Sequence, residues 1–395
     1  MIISFFFFTV TLYCYVDSII DITQVSESYQ QGKEPSMERN TAIVSSHKNI
    51  HRGKKQKHSL HPKHLRRKRH TGLHIVITLF TCLFLILVLF FGSTTIVCLG
   101  PSVAARDLFV STVMETSAAK FLARIYFSED KINEILAANT AKESNVITDV
   151  SAVTLPSAEN SETLAEITVE DVKGSTFIGK MMIVNDPSRL YVATVPNFNE
   201  SASGMLLTDM VSTNGAEAGI NGGAFEDVNG VGKGGMPLGV VIQNGVITCN
   251  STPESTSVVI GFDSNHKLIV GNMSAAQAIA SGMQEGVSFG PALVINGERV
   301  PITGSGGGLN PRTAIGQRSD GAVLLLVIDG RQAQSLGASF KDVADVMLEY
   351  GAVNAGNLDG GSSSMMIWNN EVLNNRSNLI GPRKIPTAFL VHPAG

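Results

Sequence analysis

From Ile75 to Leu99 the chain carries no charged residue. Ile75-Val76-Ile77-Thr78-Leu79-Phe80 is followed by Leu83-Phe84-Leu85-Ile86-Leu87-Val88-Leu89-Phe90-Phe91, and only Thr, Ser and Gly interrupt the apolar run. A core helix of that length would show a polar face, whereas a bilayer asks for about 20 apolar residues in a row. Residues 73–99 therefore read as a transmembrane helix. Immediately upstream, His47 to His70 holds ten Lys/Arg and six His with no acid. The positive-inside rule leaves residues 1–72 as a basic cytoplasmic region and sends everything after the helix outside. Beside a membrane, that tract suits anionic lipid better than nucleic acid. Ala104-Ala105 is a weak small-residue hint of cleavage, so a single-pass cell-membrane protein with its C-terminal domain extracellular is expected. Met1 to Val16 is apolar yet short for a span. It reads as sequence upstream of a start at Met37, the alternative being a partial second membrane segment.

After Gly100 there are 18 Lys/Arg against 29 Asp/Glu, a formal charge of 18 − 29 = −11. Bulk attraction for polyanions is excluded by that balance, and with it a nucleic-acid partner. Any phosphate must be held locally. Of four cysteines only Cys249 lies beyond residue 100, so the exported part forms no internal disulfide and relies on its core. Its two histidines, His266 and His392, sit in no motif, which leaves Ser-His-Asp, Cys-His and zinc chemistry without the residues they need. Gly230-Val231-Gly232-Lys233-Gly234-Gly235 has dinucleotide-loop spacing, but Pro237 and a strand-like run follow where a helix is required. A loop is expected there.

Residues 101–136 carry apolar residues at helical spacing and residues 137–164 are polar without a period, so residues 100–164 read as a helical stalk and linker. Residues 165–395 read as one domain. Strands are expected over Ser175–Val184, Leu190–Val195, Gly239–Val246, Ser257–Phe262, Lys267–Val270, Ala292–Ile295, Ala322–Ile328 and Thr387–Val391. Asn244-Gly245 and Asn296-Gly297 read as hairpin turns. Helices are expected after Ser339, which caps with Asp342 three residues on and stops at Gly351, and from Ser274 to Met283. The fold class is α+β: a mixed, extended β-sheet with a few packed helices. Gly304-Ser305-Gly306-Gly307-Gly308 reads as a flexible flap over the Arg312 region.

Four runs carry the chemistry. They are Asn221-Gly222-Gly223-Ala224-Phe225, Asn310-Pro311-Arg312-Thr313-Ala314-Ile315-Gly316, Asp329-Gly330-Arg331-Gln332, and Asn357-Leu358-Asp359-Gly360-Gly361-Ser362-Ser363-Ser364. The last is either a tight turn or a nest of backbone amides beside one carboxylate. Taken in order, the four resemble the phosphodiester glycosidase family over residues 165–393. Ala224 stands where that family usually has Phe, and Ser362 where it has a third Gly.

The resemblance implies hydrolysis of a sugar-1-phosphodiester. Phosphate leaves readily, so the site needs a carboxylate at the anomeric carbon and fixed donors for the phosphate. Asp359 is expected as nucleophile or base. Arg312 offers a planar fork, with the amides of Gly360, Gly361 and Ser362 completing the cradle. Asn221 is expected on a sugar hydroxyl or orienting Asp359. Asp329 is either a second acid or a turn carboxylate. Gly222, Gly223, Phe225 and Thr313 are expected to line the substrate, with core packing the alternative for Phe225. No cofactor is expected, although Asp329, Asp359 and Asn221 could offer oxygens to a divalent cation. The expected partners are a phosphorylated cell-envelope glycan and membrane lipid. The alternative function is non-catalytic binding or assembly of exopolysaccharide.

The topology has a direct check. Protease added to intact cells should digest the C-terminal domain; protection until lysis would reverse the orientation.

Overall fold

The computed structural model describes residues 65–142, 146–155, 166–227, 233–375 and 381–394. The expectations for Met1–Val16, Met37 and most of the basic tract, and for residues 230–232 of the glycine-rich run, lie outside them. The chain divides into two units, residues 1–94 and 95–395. In the first, the described chain is helical, part of a helix from Leu65 to Leu99. Its segment Gly72–Leu99, 28 residues long, has the length and apolarity needed to cross a bilayer. A membrane anchor and a signal sequence share that character. Thr78 and Thr81 return their hydroxyls to the carbonyls of His74 and Ile77 at 2.9 Å, which satisfies them within the helix as a hydrocarbon environment demands.

The second unit opens with three helices where one was expected: Val103–Met114, Lys120–Tyr126 and Glu129–Ala138. Period alone reads this stretch as continuous, but its serines act as caps. Ser102 accepts from Ala105 N and Ser128 from Lys131 N, and each restarts a helix. These helices do not form a free stalk. Gly308 lies so close to the first that a Cβ there would sit 2.3 Å from Thr112 Cα. The described linker residues are likewise tied down: Lys142 N donates to Pro301 O at 2.8 Å, and Thr148 Oγ1 to Val270 O at 3.0 Å.

Three antiparallel sheets of five or more strands follow, beside a two-stranded one that pairs Met205–Leu206 with Lys384–Ile385. The largest has seven strands in the order Ile167–Lys173, Ile178–Val184, Val323–Ile328, Arg312–Arg318, Ala352–Leu358, Ala292–Ile295 and Glu298–Arg299. The second orders Val246–Asn250, Val240–Gln243, Met283–Ser288, Ser257–Asp263 and Leu268–Met273. The third orders Glu371–Val372, Met366–Trp368, Ala218–Asn221, Thr387–Val391 and Leu190–Thr194. The strand Val323–Ile328 is apolar at every position because both its faces are covered. Val323, Leu325 and Val327 join residues of the other two sheets, including Ile260, Phe262, Ile220 and Phe389. Leu324, Leu326 and Ile328 pack with Val343, Ala344 and Met347 of the helix Phe340–Glu349. Ser339 and Asp342 form a capping box at its start.

The expected strands and helices largely form, with shifted ends. The strands Arg312–Arg318, Ala352–Leu358 and Ala218–Asn221 were not foreseen. They are rich in Ala, Gly, Asn and Thr, and hold their conformation through neighbours on both sides rather than through propensity.

Small residues in these strands let the sheets approach. A Cβ at Gly356 would sit 2.6 Å from Ile260 Cδ1. Gly356→Ala should cost about 1–3 kcal/mol by overpacking, and adding Ile260→Val should recover part of it. Equal denaturation midpoints for the single and double variants would contradict this contact.

Candidate active site

The strands Ala218–Asn221, Arg312–Arg318 and Ala352–Leu358 come together at the motif runs. Thr313 pairs with Leu358 in one sheet, and Asn221 with Ala388 in another. The side chain of Asn221 joins them. Its amide nitrogen donates to the backbone carbonyl of Asp359 at 2.5 Å; its oxygen accepts from Thr313 Oγ1 at 2.8 Å and Met365 N at 3.1 Å. Asp359 N donates to Gly222 O at 3.1 Å. Thus Asn221, Gly222, Thr313 and Asp359 meet, but Asn221 and Thr313 are fully buried and spend their polar groups on each other and on backbone. They set the position of Asp359 rather than line a sugar.

The expected backbone cradle is smaller than the sequence implied. Gly222 N donates to Thr387 O, and Gly223 N to Thr387 Oγ1, both at 3.0 Å. A Cβ on Gly222 would lie 2.6 Å from Thr387 Oγ1, so this glycine serves close backbone approach. Gly361 N is bonded to Pro311 O at 2.9 Å. Gly361 to Ser363 form a short 3₁₀ turn that places Gly360, Gly361 and Ser362 beside Asp359.

Asp359 keeps partial exposure, yet its Oδ2 is buried without a hydrogen-bond partner. Burial pushes its pKa up to about 7; Ser363, the Arg383 charge and the Gly360 amide oppose that rise, and the Asp227 charge adds to it. A carboxyl that changes charge near neutrality, with cations at hand, suits acid–base or nucleophilic work.

The neighbouring cations were mostly missed in the sequence. Arg383 pairs with Asp227 and lies over the Phe225 ring, 5.3 Å from its centroid. Phe225 is itself 8% exposed and belongs to the core, so it faces the site mainly through that stack. Arg312, the expected phosphate ligand, is 5% exposed and held internally. Its Nε donates to Ala338 O at 3.0 Å, its Nη2 to Gly308 O at 2.7 Å, and Glu115 pairs with it at 2.8 Å. It also lies over Phe340, 4.0 Å from the centroid. Arg331 approaches the other side of the turn: a Cβ on Gly361 would sit 3.3 Å from Arg331 Nη2. The sequence places it in the Asp329-Gly330-Arg331-Gln332 run without indicating a role. Arg383 sits in no recognised run, and Glu115 lies 195 positions before Asn310, to which it also bonds, so neither left a local signal.

The loop expected to be a flap is fixed. Ser305 N donates to Asn139 Oδ1 at 2.7 Å, Gly307 N to Asn139 O at 2.8 Å, and Gly308 N to Glu115 Oε1 at 2.8 Å. Asp329 follows the end of the strand Val323–Ile328. It is buried, accepts from Asn374 Nδ2 at 3.3 Å, and has its pKa raised by burial against hydrogen bonds from Asn374 and Asn375. Among the described residues no three His, Cys, Asp or Glu side chains cluster as a metal site. His392 stacks on Tyr191 at 4.0 Å, and His266 occupies a turn with φ of 57°.

Residues 214–392 match the family model described as phosphodiester glycosidase. Over 176 residues the chain is 30% identical to SPbeta prophage-derived uncharacterized protein YomE of Bacillus subtilis, covering 42% of this chain and 27% of that protein. Over 90 residues it is 32% identical to the Bos taurus N-acetylglucosamine-1-phosphodiester alpha-N-acetylglucosaminidase, covering 21% of this chain and 17% of that one. The chain thus spans well under a third of either relative's length. The zebrafish enzyme of that name, solved as a catalytic domain auto-inhibited by its pro-peptide, superposes with a TM-score of 0.48 at 21% identity, over 64% of this chain and 86% of that one.

The raised Asp359 pKa has a sign that can be checked. In the folded protein it titrates near 7, and in the unfolded chain near the ordinary value of about 3.9. The stabilising contribution is therefore full below about pH 4 and lost as pH rises through about 7. Asp359→Asn cannot ionise, so its stability relative to the parent should grow by up to about 4 kcal/mol between pH 4 and pH 8. Thermal melts at both pH values test this; a pH-independent difference would place the carboxyl in an ordinary environment.

Proposed function

We infer that this chain, whose residues 214–392 belong to the phosphodiester glycosidase family, hydrolyses sugar-1-phosphodiester bonds in cell-envelope glycans. The observation that carries the reading is the Asp359 carboxyl, its pKa raised by burial to about 7, with the charges of Arg383 and Arg331 close by. In its ionised form it can attack the anomeric carbon or remove a proton from water, and it stabilises the positive charge that develops on the sugar. The departing phosphate needs fixed positive donors rather than a strong acid, and guanidinium groups meet that need at neutral pH. Asp227, paired with Arg383, is the second carboxylate near Asp359 and suits the handling of water.

The helix Gly72–Leu99 supplies the anchor in this reading, with the acidic domain outside the cell. Its net negative charge leaves substrate phosphate to be recognised by the local arginines alone. Asn221 and Thr313 contribute by fixing the carbonyl and backbone of Asp359, so that little reorganisation is needed when charge develops.

Asp359→Asn should remain folded and lose at least about a hundredfold in rate on a sugar-1-phosphodiester, measured as free sugar. In the parent, kcat/KM should rise about tenfold per pH unit below 7 and level off above it, because the reactive form is the carboxylate. A rate that instead falls above pH 7 would make the protonated acid the reactive form. If no sugar-1-phosphodiester in a broad panel is cleaved while exopolysaccharide is retained, the non-catalytic binding function replaces hydrolysis.

A further inference from the structure

Three arginines stand near Asp359, and they differ in what balances them. Arg312 has Glu115, and Arg383 has Asp227. Arg331 has no acid within ion-pair distance among the described residues. Its Nε and Nη2 both donate to Asn310 Oδ1, at 3.2 and 2.9 Å, and Nη2 reaches the Glu115 backbone carbonyl at 3.5 Å. All of these acceptors are neutral. Nη1 makes no hydrogen bond among the described residues. Burial and the repulsion of Arg312 lower the Arg331 pKa to about 10, with the charges of Glu115 and Asp359 opposing the fall. A largely enclosed guanidinium beside a second one favours an anion at its open edge.

The surroundings are arranged around that edge. A Cβ on Gly361 would lie 3.3 Å from Nη2 and 3.4 Å from Nη1, so a side chain there would press on the guanidinium. Gly361 is two residues from Asp359. Asn310 is itself braced: its Nδ2 donates to Glu115 Oε2 at 3.0 Å, and Thr116 Oγ1 donates to its Oδ1 at 3.3 Å. The fork of Arg331 is thereby held in one orientation. Its backbone has φ of 57°, a conformation glycine adopts far more readily. An arginine in that conformation carries backbone strain that a glycine would not.

We propose that Arg331 is the residue that grips the substrate phosphate next to Asp359, while Arg312, already neutralised by Glu115, positions the loop that carries Asn310. The proposal rests on the phosphodiester reading for its ligand, a sugar-linked phosphodiester. A phosphate oxygen at Nη1 would receive the one donor group of this arginine not engaged within the protein, in the charge-assisted geometry guanidinium favours.

The test uses the full chain in detergent micelles and the variant Arg331→Gly. Glycine suits the local backbone, so the fold should persist and the unfolding midpoint should be unchanged or raised. Inorganic phosphate binding is followed by titration calorimetry, and kcat and KM are measured on a sugar-1-phosphodiester. Phosphate affinity should fall at least about tenfold and kcat/KM at least about a hundredfold. Added guanidinium ion should restore part of the rate, which a merely structural arginine would not allow. Phosphate affinity and kcat/KM both within about twofold of the parent would overturn the proposal, as would a parent chain that binds no phosphate. If the parent binds phosphate through Arg331 yet cleaves nothing, the proposal stands and the hydrolase reading falls. Should the parent cleave substrate and Arg331→Gly match it, the reverse holds.

Discussion

One buried side-chain amide sets the position of the Asp359 backbone. Asn221 sits at the end of a strand in one sheet and spends its donor on the carbonyl of Asp359, at the end of a strand in another. Its acceptor is shared between Thr313 and Met365, so four segments converge on a group with no exposure to water. A buried amide is costly unless every position on it is matched, and here the match requires all four segments in register. The sheets are joined elsewhere by apolar packing, which tolerates small shifts. This polar junction does not, and it fixes the backbone from which the carboxyl projects.

The charge pattern follows from the same economy. The domain is acidic overall, and the cations near Asp359 are placed singly. Each of the arginines around the recess arrives from a different segment: Arg312 from a strand, Arg331 from a turn after the neighbouring strand, and Arg383 from the run into the last strand pair. Two of them are countered by carboxylates from distant sequence, Glu115 and Asp227. The recess is therefore close to neutral overall while remaining strongly polarised inside, and the carboxyl of Asp359 responds to that interior by titrating near 7.

Much of this was written locally in the sequence. The uniformly apolar run around Leu325, the serine caps at Ser339 and Ser274, and the Asn-Gly turns are short-range signals, and they predict the elements that form. The motif runs named Asp359 and Asn221 and brought them together, without revealing that Asn221 faces inward. Arg383, Asp227 and Glu115 were illegible because their partners lie far away in sequence and no spacing rule links them. The strands Arg312–Arg318 and Ala352–Leu358 were hidden for a related reason: glycine, alanine and asparagine have weak strand preference, and only neighbours on both sides hold them. Residues 101–136, expected as one stalk or packing helix, form three helices because a period cannot register a cap.

Gly308 lets the helix Val103–Met114 touch the loop that leads into Arg312, and Glu115 at the end of that helix ties the contact to Asn310. A boundary drawn where the composition changes, near residue 165, would therefore separate Arg312 and Asn310 from their partner Glu115. The wall behind the arginines is built from chain that precedes the family-matched region by about a hundred residues, between Glu115 and Asn214 where that match begins. In this protein the unit that folds is larger than the unit that is recognisable, and the difference is a few turns of helix contributed by the segment nearest the apolar span.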